Sequence, residues 1–288
     1  MHGSEPYCVT RGSSTPTICA IGDLNLDVVV LPRAPLAPDG DTPATIRLSA
    51  GGQAANVAAW AGALGGRGRL VCARGTDAAA QIAAASLERL GVQIRGPLLA
   101  GGGGVVVSTR EPDGGRTMAT DHGVAGELAP DALEPEWIST ADVLHVSGYS
   151  LLREPAAQAV LAAARLARRV TLDLASAPDI ERFGRERFTE LARRLSPEIV
   201  FANEAERAAV GDLEAGWVIK LGAGGAIFPE GRVPAQTADA VDTTGAGDAL
   251  AAGYLIGGPQ LPMVAAARCV ALIGALPPEP EPDAPDAV

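Results

Sequence analysis

The chain has 288 residues, 47% of them hydrophobic, and a formal net charge of −11, which fits one large α/β domain. The charge argues against a nucleic-acid binder, which needs a basic stripe to neutralise phosphates. Arg168-Arg169 and Arg193-Arg194 read instead as cations at helix ends.

Residues 1–16, rich in Gly, Ser, Thr and Pro, read as a flexible tail. Apolar runs predict strands at Thr17–Ile21, Arg69–Ala73, Val143–Val146, Val170–Leu174, Ile199–Ala202 and Trp217–Leu221. Helical patterns fall at about 53–64, 76–90, 154–168, 185–195, 203–210, 246–257 and 261–275. Strand–helix alternation of this kind predicts a mostly parallel sheet covered on both faces. Segments 27–49 and 104–120 break the rhythm, with extended runs flanking turns; they read equally as surface hairpins or as a small sheet over a cleft. Residues 277–288 read as a disordered acidic tail.

No apolar run approaches the ~20 residues of a membrane span, and the N-terminus lacks a signal peptide's apolar core. A cytoplasmic protein without a membrane partner is expected. The cysteines (Cys8, Cys19, Cys72, Cys269) are scattered without a C-x-x-C, and the three histidines form no ligand pattern. Lys220 is the only lysine and precedes Leu221, which excludes a Walker A loop.

Five segments carry the chemistry. In Asp242-Thr243-Thr244-Gly245-Ala246-Gly247-Asp248, glycines at a helix start let amides cradle an anion and place Asp248 in the first turn; a tight turn with a capping Asp fits the same pattern. Gly51-Gly52-Gln53-Ala54-Ala55-Asn56 also opens a helix, and close helix–sheet packing is its plainer reading. Asn25-Leu26-Asp27 follows the first strand, where open α/β sheets bind ligands, although Asp27 also suits a turn. Asn203 and Glu206 share a helix face and suit either water-held Mg²⁺ or a capping box. Leu221-Gly222-Ala223-Gly224-Gly225 is a close-approach turn, for a nucleotide or simply between strands.

Together these segments, over about residues 17–276, closely resemble the ribokinase-like (PfkB-type) carbohydrate kinase family. Its two signature regions match Gly51–Asn56 and Asp242–Asp248, and Asn203-x-x-Glu206 adds a third match. The resemblance implies a three-layer α/β/α kinase domain with a central mostly parallel sheet, and a small β-sheet lid from 27–49 and 104–120. It implies transfer of the γ-phosphate of ATP to a hydroxyl of a small sugar or sugar acid, with a nucleoside as the alternative acceptor and a non-catalytic sensor as a further one. Asp248 would be the catalytic base, with the amides of Gly245, Ala246, Gly247 and Asp248 as anion hole. Asp27, Gly52, Asn56 and Asp242 would bind the acceptor. Asn203 and Glu206 would organise Mg²⁺ and phosphate, Glu206 through water, while Gly222 and Gly225 line the nucleotide site. Lys220 either reaches a phosphate or is an exposed strand-end lysine. A K⁺ ion near the loop after Asp242 and dimerisation through the lid are family habits.

Gln53 departs from the Lys usual in ribokinases proper, which argues against D-ribose itself. Scarce aromatics favour a sugar over a nucleoside, with Tyr149 and Trp60 the nearby stacking candidates. At a helix N-terminus Asp248 is expected to stay ionised and act as a weak base.

Overall fold

A computed structural model describes residues 15–110, 115–174 and 176–280. The tails expected at 1–16 and 277–288 fall largely outside the described residues, as does Cys8.

Thirteen strands are present among the described residues. In chain order they are β1 (Thr17–Ile21), β2 (Asn25–Pro32), β3 (Ala44–Gly51), β4 (Arg67–Val71), β5 (Gln93–Arg95), β6 (Gly104–Arg110), β7 (Arg116–Asp121), β8 (Val143–Ser147), β9 (Val170–Asp173), β10 (Ile199–Asn203), β11 (Gly216–Lys220), β12 (Ala226–Phe228) and β13 (Gly231–Val233). The helices are α1 (Gln53–Ala63), α2 (Ala78–Arg89), α3 (Pro135–Ser139), α4 (Ala156–Ala164), α5 (Ala177–Phe183), α6 (Arg185–Leu195), α7 (Glu204–Ala208), α8 (Ala246–Gly257) and α9 (Pro262–Val270).

The large sheet has the order β13-β12-β11-β10-β9-β8-β1-β4-β5. It is parallel from β11 to β5 and ends in the antiparallel β12–β13 hairpin. Its central strands are buried throughout, as expected of a sheet covered on both faces. On one side α4 and α6 contribute Val160, Phe188 and Leu191 to the core; on the other, α1, α8 and α9 contribute Trp60, Tyr254 and Met263. With so few aromatics, alanine lets helices approach closely: Ala54, Ala55, Ala58 and Ala59 of α1 and Ala249, Ala251 and Ala252 of α8 are all buried.

The two segments that break the rhythm form one sheet, β3-β2-β6-β7. Asp27 of β2 pairs with Ser49 on one side and Val106 on the other, while Thr120 pairs with Val106. Asp27, Val106 and Thr120 therefore share a line across this lid, Met118 lies two residues along on the same face, and all four line one cavity.

Some boundaries differ from expectation. The helices expected at 154–168 and 261–275 are shorter, and Arg168 and Arg169 lie beyond α4, where Arg169 pairs with Glu198 at 3.0 Å. Arg193 and Arg194 do occupy the last turn of α6.

Asp77 ties the lid to α2. Its side chain caps that helix through the Ala80 N–H at 3.0 Å, and the same oxygen accepts from the Gly103 N–H at 2.9 Å, just before β6. These bonds hold the carboxyl below the usual range. Asp77→Ala is expected to cost about 1 kcal/mol and lower the thermal midpoint by about 2–4 °C. A calorimetric midpoint unchanged from wild type contradicts the tie.

Candidate active site

The parallel strands end side by side, and their last residues meet. Phe201 pairs with Asp173, and Asn203 pairs with Lys220, so β9, β10 and β11 deliver Asp173, Asn203 and Lys220 to one edge. The Lys220 ammonium donates to both oxygens of Asp173 at 2.9 and 3.0 Å and lies 3.8 Å from Glu206. Asp173 is fully buried and the Lys220 side chain is 16% exposed, so Lys220 is not an exposed strand-end lysine. Burial alone would lower the lysine's pKa, but Asp173 and Glu206 outweigh it and raise it.

Above this edge α8 begins. Its N-cap, Gly245, has φ 77, in the left-handed region that favours glycine; the Ala246 N–H donates to the Thr243 carbonyl at 3.3 Å, and Gly245, Ala246, Gly247 and Asp248 all line one cavity or the other. Gly247 lies against Lys220: a Cβ there would stand 3.3 Å from the lysine stem. Asp248 accepts a 2.7 Å hydrogen bond from the Asn56 side-chain amide, so α1 orients it. Burial pushes the Asp248 carboxyl up to about 7, with Asp173 and Asp27 adding to the rise and Asn56 and Lys220 opposing it. The helix N-terminus does not keep this acid firmly ionised, because desolvation among other carboxylates outweighs the dipole.

Two cavities meet at this helix start. The larger, about 680 Å³, lies under the lid and is lined by Asp27, Gly52, Asn56, Gly245 and Asp248. Four buried polar atoms of its lining residues have no partner among the described residues: Asn25 Oδ1, Gln53 Oε1, Asn56 Oδ1 and His122 Nδ1. Groups left so are costly unless a ligand supplies the bonds, and they suit a polyhydroxylated molecule. The smaller cavity, about 500 Å³, is lined by Gly222, Gly225, Ala246 and Gly247, with apolar walls from Leu250, Met263 and Val270. Lys220 lines both.

Three expected site residues lie elsewhere. Asp242 does not line the larger cavity. Its carboxylate accepts from the Thr244 N–H (3.0 Å) and hydroxyl (2.7 Å) and from the Gly274 N–H (3.0 Å), which shapes the loop before α8. Burial works against its charge, yet these bonds prevail and hold its pKa low. Asn203 and Glu206 line neither cavity; they form a full capping box at α7, the Asn203 N–H donating to Glu206 at 2.8 Å and the Glu206 N–H to Asn203 at 2.8 Å. Trp60 is no stacking surface, being fully buried with its indole N–H donating to the Ala275 carbonyl at 2.8 Å. Sequence reasoning gave no site role to Asp173, Asp23, His122, Arg153, Asp179 or Arg182, which the structure places at or beside the cavities. Asp173 left one trace, an acid closing an otherwise apolar strand.

A family profile for pfkB family carbohydrate kinases matches residues 15–276. The chain belongs to the pfkB family. It is 30% identical to an ATP-dependent ribose-1-phosphate kinase of Halopiger xanaduensis over 83% of each chain. Among solved structures it is similar to adenosine kinase from Sinorhizobium meliloti, at 26% identity and TM-score 0.79, over 92% of this chain and 96% of that one. A ribokinase from Thermotoga maritima shares the fold at 19% identity and TM-score 0.70, over 90% and 94%. An Escherichia coli structure holding ATP and Mg²⁺ does so at 19% and 0.75, over 90% and 94%. This pfkB member is therefore an ATP-dependent carbohydrate kinase with a ribokinase-like fold, and it acts on small sugar or nucleoside molecules.

The Lys220–Asp173 pair yields a stability test. Lys220→Met takes the ammonium from a buried carboxylate and is expected to cost about 3–5 kcal/mol by urea unfolding. Lys220→Met with Asp173→Leu should recover most of that loss. A single variant as stable as wild type contradicts the pairing.

Proposed function

We propose that this kinase transfers the γ-phosphate of ATP to a hydroxyl of a ribosyl-type sugar, with Asp248 as the base. The observation that carries this reading is the shared helix start: Asp248 opens into the larger cavity and Ala246 and Gly247 into the smaller, with Lys220 common to both. An acceptor under the lid and ATP in the smaller cavity would meet there. The names of two relatives, a ribose-1-phosphate kinase and an adenosine kinase, share a ribose unit.

In the proposed mechanism Asp27, Gly52 and Asn56 hold the acceptor's hydroxyls, and Asn56 also fixes Asp248. Asp248, with its pKa near 7, takes the hydroxyl proton, late in a loose transition state. The amides of Gly245 to Asp248 form the anion hole for the transferring group. Asp242 serves by shaping that loop, and Gly222 and Gly225 border the nucleotide. Lys220 is placed to meet a phosphate from either side. Mg²⁺, when bound, neutralises charge on the phosphoryl oxygens, and it takes few protein carboxylates. Glu206, already bonded by Asn203 and beside Lys220, fits a role through water. A K⁺ ion near the loop after Asp242 stays part of the proposal, to be varied in the assay.

The nucleoside reading has an observation of its own: Tyr149, Leu152, Val106 and Met118 give the acceptor cavity apolar surface. Dimerisation through the lid is also part of the proposal, since Ile46, Leu48 and Val107 are exposed on its sheet. The proposed domain spans 17–276 between two tails, and the proposed place of work is the cytoplasm. The described cysteines are free and buried, and no described helix is long and apolar enough to cross a membrane.

Asp248→Asn is expected to lose about 10²–10⁴-fold in turnover. Wild-type kcat/KM should rise with pH to a plateau through an apparent pKa near 7, as Asp248 deprotonates. The folded pKa is raised, so the free protein loses stability as pH climbs from the carboxyl's ordinary 3.8 toward 7. The thermal midpoint of Asp248→Asn should therefore gain on wild type more at pH 8 than at pH 5. Full turnover in the variant would refute the base assignment.

A further inference from the structure

The acceptor cavity holds a second set of charges that the transfer reaction does not use. Arg153 follows the short 3-10 turn after β8, and its stem packs over Gly126, where a Cβ would stand 3.1 Å from the arginine Cδ. The residue that leaves room for this arm thus lies in the loop just past the lid. The Arg153 guanidinium lines the cavity and makes no hydrogen bond or ion pair among the described residues. Arg182, on α5, lines the same cavity and pairs with Asp179 at 2.6 Å. His122, at the end of the lid, adds a buried Nδ1 without a partner.

These groups stand apart from the transfer end. The charges bearing on Asp248 are Asp173, Lys220 and Asp27, whereas those bearing on His122 are Arg153, Asp121 and Asp179. Tyr149 lies between, influenced by both Asp179 and Asp248. Asp23 is the acid whose charge bears on Arg153; burial lifts its carboxyl to about 6 against the pull of the arginine, and the two form no ion pair or hydrogen bond with each other. A cavity of about 680 Å³ has room for more than a bare pentose.

Building on the kinase reading above, we propose that the acceptor is a phosphorylated sugar, its phosphate monoester held by Arg153 with Arg182 and His122 beside it, while a free hydroxyl at the other end faces Asp248. A guanidinium fork suits a phosphate, and an imidazole N–H can add a third donor. No bond changes at this end; the phosphate anchors and orients the sugar.

The test is calorimetric binding of ribose 5-phosphate, ribose 1-phosphate, ribonate, ribose and adenosine to the full chain, beside ADP release with the same compounds. The expected result is that a ribose phosphate binds at least about 10-fold more tightly than ribose. Arg153→Gln should weaken that phosphate about 10- to 100-fold while leaving ribose binding and the KM for ATP unchanged. Arg153→Lys, which keeps charge but not the fork, should fall between. Ribose or adenosine binding as tightly as the phosphates would overturn the proposal, as would ribonate matching them or a phosphate preference that survives Arg153→Gln. If Arg153→Gln does not fold, Arg182→Gln and the wild-type preference decide it. Tight phosphate binding without ADP release would instead count against the kinase reading alone.

Discussion

A single lysine carries the positive charge that the floor of the site shares. Lys220 is bonded to a fully buried Asp173, lies 3.8 Å from Glu206, and acts electrostatically on Asp248. Strand register makes this possible: β10 and β11 end level at Asn203 and Lys220, β9 ends two residues earlier at Asp173, and the long lysine side chain spans the offset. A buried pair of this kind adds little net stability, yet breaking it is costly. Its value lies in fixing the charge beneath the start of α8. Burial first, and then the charges of Asp173 and Asp27, which one ammonium does not offset, hold the proton on Asp248 to about neutral pH.

The lid completes the arrangement by enclosing polar atoms that the fold leaves unsatisfied. Asn25 Oδ1, Gln53 Oε1, Asn56 Oδ1 and His122 Nδ1 come from β2, α1 and the end of the lid, and all four residues face one cavity. The protein bears that desolvation cost without a ligand present, and an acceptor rich in hydroxyls relieves it. Asp77 anchors the start of the lid's β6 to α2, while the Arg110 guanidinium donates to the Val241 carbonyl beside the loop before α8. The lid is thus tied to the body both at α2 and beside the loop that leads into α8.

Much of this was legible in the chain. The six long parallel strands read as apolar runs, and contiguous segments such as Gly51–Asn56 and Gly245–Asp248 carried their geometry with them, since a glycine-rich helix start is a local property. The β12–β13 hairpin escaped notice because strands of three residues leave no periodicity. Asp173, Arg153 and Lys220 were opaque for a different reason: their roles depend on which distant strand or turn lies alongside. Asn203 and Glu206 show the converse, as their local spacing was read correctly for a capping box and could not say what else faced it. Asp242 lies in a signature segment yet turns its carboxylate into its own loop, something order along the chain does not reveal.

The most direct test of the shared-charge account is to titrate Asp248 itself. Carbon-13 NMR of aspartate-labelled, ligand-free protein, with the signal assigned by its absence from an Asp248→Asn sample, reads that carboxyl alone. The account predicts a midpoint near pH 7. A midpoint near the ordinary carboxylate value of about 4 would show that Lys220 and the helix start keep Asp248 ionised, and would contradict it.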